Sequence, residues 1–188
     1  MKKQFKQIVA GLALGVCSLA HGTELNFNNP GLIRIDGNKA VYNEAGYAIT
    51  GDAASFLPIE GIGTGMSGAL LLLANNPVKL GSTAGTPFSF SSLDAGLLGA
   101  GPGGTLSITG FFLDNTQKNI TLSLLELSSY SIADWSSLTS VSFSANADVV
   151  LDTLIVATSP VPEPGSVGML LFGLATLVAA RRLGKKKH

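Results

Sequence analysis

Between positions 23 and 160 the apolar residues recur in short runs and strict alternations broken by Gly, Asn, Asp and Pro, a period near two that predicts strands rather than helices. Leu32-Ile33-Arg34-Ile35 runs into Asp36-Gly37-Asn38, and Ala40-Val41-Tyr42 follows, as in a hairpin. Tyr47-Ala48-Ile49-Thr50 closes in Gly51-Asp52 and predicts another strand. Residues 56–65 have no period and are rich in glycine, so an irregular segment is expected there. Residues 69–74 (ALLLLA) form a continuous apolar run, which fits a strand buried on both faces or a helical turn, and Asn75-Asn76-Pro77 stops it. Phe88-Ser89-Phe90-Ser91 alternates cleanly, and the glycines of residues 99–104 mark a loop.

Leu106, Ile108 and Phe112 alternate with Ser107, Thr109 and Phe111, a pattern expected of a strand covered on both faces. After a turn at Asp114-Asn115, Ile120, Leu122 and Leu124 share one face; Val141, Phe143 and Ala145 repeat the alternation, and residues 149–156 (VVLDTLIV) make the last strand. Eight or nine strands at this spacing predict an all-β domain, a jelly-roll-like antiparallel β-sandwich.

The two ends break the pattern. Residues 1–22 read as a secretory signal helix: Lys2, Lys3 and Lys6, an apolar stretch from Ile8 to Leu19, then small residues for cleavage after Ala20 or Gly22. Cys17 raises a lipoprotein signal, but Val16 stands where a small residue is needed. At the other end, Pro162 and Pro164 fix φ and remove two backbone donors, so no helix runs through Val161-Pro162-Glu163-Pro164. The apolar run of residues 165–180 follows, slightly short of the roughly twenty residues that span a bilayer, and basic flanks that snorkel make up the difference. Arg181, Arg182, Lys185, Lys186 and Lys187 then form a cytoplasmic basic anchor, which leaves the rest of the chain outside. Only Ser166 and Thr176 interrupt the run, too few for the polar face of a core helix; an ordinary tail anchor is the remaining alternative.

Pro-Glu-Pro, a short transmembrane helix, an arginine cluster and the chain end, in that order, resemble the PEP-CTERM sorting signal of Gram-negative bacterial surface proteins. The resemblance implies recognition of Val161, Pro162, Glu163 and Pro164 by an exosortase-like membrane protease or transpeptidase. It further implies removal of the tail, a place on the cell surface or in a biofilm matrix, and an organism that makes exopolysaccharide. The order FSFSSLDAG, LSITGFFLDNTQKNITLSL, WSSLTSVSFSANADVVLDTLIVA before the tail is similar to the jelly-roll domains of PEP-CTERM proteins and to galactose-binding-like carbohydrate modules. Where such domains close on Leu-Asp-Asn, this chain has Leu151-Asp152-Thr153.

Charge sharpens the picture. The chain is formally neutral, yet residues 23–160 hold four cations (Arg34, Lys39, Lys79, Lys118) against eleven acids, a net charge near −7 that argues against nucleic acid and anionic lipid and favours neutral or cationic partners. The single cysteine and both histidines, His21 and His188, lie outside that segment, which removes disulfides, Ser-His-Asp and Cys-His nucleophiles and ordinary zinc sites from it. The formal G-x-G-x-x-G of residues 63–68 lacks a preceding strand and a following acid, and reads as a loop needing positive φ rather than as a dinucleotide cradle.

Paired carboxylates would permit glycoside hydrolysis, but the acids stand singly beside turn residues. No cofactor is expected; a structural calcium ion has Asp36, Asp52, Asp94 and Asp152 as candidates, without a recognisable ligand spacing. Tyr42, Tyr47, Tyr130 and Trp135 are the residues able to stack on sugar rings, and packing is the plainer role for a lone tryptophan. Asn119-Ile120-Thr121 reads as a coincidental sequon. The chain is expected to divide into a signal peptide (1–22), a β-sandwich ectodomain (23–160) and a sorting signal (161–188). The leading expectation is an exported, non-catalytic surface or extracellular-matrix protein able to bind polysaccharide. The alternatives are a carboxylate-based carbohydrate-active enzyme and a plain tail-anchored envelope protein.

Overall fold

The computed structural model describes residues 22–29, 32–60, 68–99 and 102–158. The expected signal peptide, the sorting motif Val161-Pro162-Glu163-Pro164, the apolar run after it and the basic anchor lie outside these residues. Among the described residues no helix is long and apolar enough to cross a membrane.

The domain is all-β, an antiparallel sandwich of thirteen described strands: β1 (Thr23–Leu25), β2 (Ile33–Asp36), β3 (Lys39–Glu44), β4 (Tyr47–Asp52), β5 (Phe56–Ile59), β6 (Ala69–Leu72), β7 (Val78–Ser82), β8 (Phe88–Leu97), β9 (Gly104–Phe112), β10 (Gln117–Leu124), β11 (Ser128–Ser131), β12 (Leu138–Ala145) and β13 (Val149–Thr158). Seven of them form one layer in the order β2-β3-β4-β7-β12-β9-β10. The other six form the second layer, β5-β6-β13-β8-β11, with β1 beside the far half of β13. Among the described residues a single pairing, Leu138 with Phe88, joins the layers.

Thirteen strands exceed the eight or nine expected, and the excess consists of short pieces. Residues 56–59 are not irregular: they form β5 at a sheet edge, where Pro58 is tolerated because it owes the ladder no N–H on its open side. The alternation expected of β9 is present, with Leu106 and Ile108 buried, but Ser107, Thr109 and Phe111 remain half-exposed, so the strand is covered on one face. β6 is buried on both faces, as its unbroken apolar run predicts. Leu70 and Leu72 enter the main core, while Ala69 and Leu71 join Val150 in a small cluster on the other side, against Ile59 and Leu73.

The core lies between the layers and is centred on Phe90, which meets Phe143 edge-on at 5.9 Å and Trp135 at 6.2 Å between ring centroids. A register shift in β13 between Leu151 and Leu154 resets the two-residue alternation, so both leucines reach that core. Asp152 sits in the shifted stretch and is 1% exposed.

Candidate functional site

Because strand side chains alternate, each strand of the seven-stranded layer sends one set inward and the other out to solvent. The registers are continuous enough to follow single rows of outward residues across the whole layer. One row runs Arg34, Val41, Thr50, Lys79, Ser142, Thr109, Asn119, each directly opposite the next. A second row places Asp36, Lys39 and Asp52 side by side, with Ser144, Ser107 and Thr121 further along it. On the other flank Phe111 faces Gln117, and Ser140, opposite Phe111 on β12, is buried. The half of the face on β12, β9 and β10 is thus a carpet of hydroxyls and amides.

Three shallow depressions lie side by side across this face. The first, about 460 Å³, is lined by Arg34, Asp36, Val41 and Asn43. The second, about 370 Å³, lies between Lys39, Thr50, Asp52, Lys79 and Ser142. The third, about 390 Å³, reaches from Lys79 to Phe111, Gln117 and Thr139. An extended, hydroxyl-bearing chain suits such a run better than a compact cofactor does.

The charged groups differ in how they are engaged. Lys39 forms an ion pair with Asp52. The Lys79 ammonium lies 5.8 Å from the centre of the Phe111 ring, an attraction between cation and π-face. At the edge, Lys118 lies over Phe112 at 5.4 Å and donates to the Asp134 carbonyl. The Asn119 amide donates to both Ser107 Oγ (3.1 Å) and Thr109 Oγ1 (2.8 Å), which holds these side chains in one orientation.

The aromatic residues singled out in the sequence are elsewhere. Trp135 is 5% exposed and sits against Phe90 and Phe112, and Gly110 makes its seat: a Cβ there would come within 3.0 Å of the indole ring. Tyr42 and Tyr47 are buried in the core as well. Burial first, and then the Glu44 carboxylate that accepts a hydrogen bond from its hydroxyl at 3.2 Å, hold the Tyr42 phenol far above its ordinary range. Tyr130 alone of the four is half-exposed, on β11 of the other layer. A buried ring offers no face to a sugar, so Tyr42 and Tyr47 are corrected from stacking candidates to core residues, and Trp135 takes the packing role that is the plainer one for a lone tryptophan. Phe111, which the sequence reading passed over, is the half-exposed ring of the seven-stranded face; its only signal was two adjacent phenylalanines in an alternating strand, one of which must point outward.

Nor do the candidate calcium ligands converge. Asp36 and Asp52 flank Lys39, whereas Asp94 and Asp152 belong to β8 and β13 of the other layer. Among the described residues no group of three or more His, Cys, Asp or Glu side chains is placed to hold a metal ion. Gly68, the last glycine of the G-x-G-x-x-G stretch, is required by close approach rather than by positive φ, because a Cβ would collide with the Phe27 carbonyl. Its N–H donates to the Asn28 side chain.

In sequence, the PEP-CTERM protein-sorting motif matches residues 160–186, which include the four positions of the sorting motif and every position named for the basic anchor except Lys187. No curated protein matches the chain. Among solved structures it is similar to the CBM22-1–GH10 modules of the Clostridium thermocellum endo-1,4-beta-D-xylanase 10B complexed with xylohexaose, at 11% identity and a TM-score of 0.44 over 72% of this chain and 28% of that one. It is similar also to the C-terminal family 22 carbohydrate-binding module of the same enzyme, at 12% identity and a TM-score of 0.43 over 76% of this chain and 97% of that one. A third is the TmCBM61 module in complex with beta-1,4-galactotriose, at 8% identity and a TM-score of 0.40 over 61% and 90%. The chain thus spans little more than a quarter of the first of these proteins, and likeness at this level says nothing about a ligand.

Proposed function

We propose that this chain, which carries a PEP-CTERM sorting motif at residues 160–186, is an exported, non-catalytic surface or matrix protein whose β-sandwich binds polysaccharide once an exosortase-type enzyme has processed its tail. The sorting motif is the observation that carries the reading: an address of this kind has a use only on a protein that leaves the cytoplasm. In this reading Val161, Pro162, Glu163 and Pro164 are substrate positions for the sorting enzyme. The apolar run after them holds the precursor in the membrane, and Arg181, Arg182, Lys185, Lys186 and Lys187 keep its end on the cytoplasmic side.

The non-catalytic part of the reading is supported by chemistry, since residues 23–160 contain neither histidine nor cysteine. The binding part is supported by the outward face just described, with its aligned hydroxyls and amides and its one half-exposed ring. Intact mass of the protein recovered from the surface of its host tests the sorting step. The expected result is a chain shortened at its C-terminal end, with the full tail retained in a P162A/E163A/P164A variant. A tail retained in both proteins overturns the processing step and makes the chain a plain tail-anchored envelope protein.

A further inference from the structure

The four cations of residues 23–160 are scattered in sequence but not in space. Arg34, Lys39, Lys79 and Lys118 all belong to strands of the seven-stranded layer, on β2, β3, β7 and β10. The strands of the other layer hold no cation and carry Glu24, Asp94 and Asp152, whereas those of the seven-stranded layer set their four cations against Asp36, Glu44 and Asp52. The net charge near −7 therefore describes the domain as a whole and not the seven-stranded face. At physiological ionic strength, charges more than about 8 Å apart across solvent are largely screened, so a ligand on this face responds to the groups beside it.

Among the described residues one of the four cations is committed to a carboxylate and one to a main-chain carbonyl. Lys39 is paired with Asp52, and Lys118 is turned to the Asp134 carbonyl at the edge. Arg34 and Lys79 are both exposed and form no ion pair with a described residue. They stand in the same row, with Val41 and Thr50 between them, so three strand spacings of roughly 4.8 Å put their Cα atoms about 14 Å apart. Beyond Lys79 the row continues through Ser142, Thr109 and Asn119.

We infer that the outer face of the seven-stranded layer takes a carboxylated polysaccharide, a polyuronate, lying along this row with its carboxylates at Arg34 and Lys79. The inference rests on the polysaccharide-binding reading above and narrows it to one chemical class. A planar guanidinium on β2 and an ammonium on β7 receive charges spaced along an extended chain. Thr50, Ser142, Thr109 and Asn119 exchange hydrogen bonds with its hydroxyls, and Phe111 offers the apolar side of its ring to a sugar's C–H face beside Lys79. Asp36 and Asp52 lie in the neighbouring row, where Lys39 bridges to Asp52 and reduces their repulsion of the ligand.

Affinity electrophoresis of the full chain in neutral detergent tests this with three gels containing polygalacturonate, fully methyl-esterified polygalacturonate and no polymer. The expected result is retardation by the acid form at low salt that fades as salt rises, with affinity for the ester about tenfold lower or less. An R34M/K79M variant loses about tenfold in affinity for the acid form, and R34K/K79R recovers most of it. Equal retardation by acid and ester, or an R34M/K79M variant that binds like the parent, overturns the charge assignment while leaving polysaccharide binding in place. No retardation by either polymer overturns both the polyuronate assignment and the wider binding reading.

Discussion

The two layers of the sandwich share one core, yet they use their other faces differently. On β3, β4, β7 and β9 of the seven-stranded layer buried and more exposed positions alternate, so every second residue is turned away from the core. In the second layer β6 is buried on both sides and β13 nearly so, and the one carboxylate of β13, Asp152, is drawn into the structure. The same residue type thus has opposite meanings in the two layers. Asp36 on β2 is exposed on the outer face, whereas Asp152 on β13 is 1% exposed and engaged in the fold.

The largest expected effect breaks or confirms that contrast directly. D152A removes a buried carboxylate and leaves its partners unsatisfied, and should cost about 1–3 kcal/mol in urea denaturation of the full chain. D36A should change stability by less than about 0.5 kcal/mol, because surface substitutions away from special features rarely do more. Equal losses from the two substitutions would remove the distinction between a packing layer and a presenting layer.

How far the chain itself announced this division depends on the element. The hairpin of β2 and β3 was legible because Gly37, with φ +58, supplies the left-handed residue its tight turn needs. The β9–β10 hairpin was legible from Asp114-Asn115, where Asn115 takes φ +64. β6 showed in its unbroken apolar run. β5 did not, since a proline and neighbouring glycines mask a four-residue edge strand, and three-residue β1 is too short to show a period. The proposed binding face was illegible for a different reason. Serine, threonine and asparagine carry no signal one at a time, and Arg34 and Lys79 become neighbours in a row only through three successive registers. Packing was the plainer reading of Trp135, but its seat was not legible, because the room for the ring is made by Gly110, 25 positions earlier in the chain.

A smaller effect concerns the inner side of the presenting layer. Tyr47 on β4 is 3% exposed and packs edge-on against Phe88 at 5.5 Å, but its hydroxyl has no hydrogen-bond partner among the described residues. Y47F keeps the ring and removes the unpaired group, so it should leave stability unchanged or raise it by about 1 kcal/mol. Burial pushes the Tyr47 phenol above its ordinary value of 10.0, which favours the neutral form in the folded protein. A group whose folded value is raised contributes stability below its unfolded value, and that stability is lost as pH rises through the folded one. Y47F should therefore soften the alkaline loss of stability above pH 10. A Y47F protein that is clearly less stable at neutral pH would mean the hydroxyl is satisfied and useful.

The smallest effect lies at the turn joining β9 to β10, beside the proposed face. Asp114 Oδ1 accepts hydrogen bonds from the Thr116 hydroxyl at 2.6 Å and the Thr116 N–H at 3.0 Å, and these hold its carboxyl below the ordinary value of 3.8. Its folded value is depressed, so the sign is opposite to that of Tyr47. The contribution is fully present above the unfolded value and is lost as pH falls through the folded one. The side chain is fully exposed, and the effect on overall stability is accordingly slight. T116A removes the hydroxyl donor and keeps the backbone donor, so a carbon-13 carboxyl titration should show Asp114 rising part of the way back toward 3.8. An unchanged midpoint would show that the backbone bond alone sets it. In that case the turn is held by its Asn115 conformation rather than by the side-chain pair, and Thr116 becomes free to serve the depression it lines with Phe111 and Gln117.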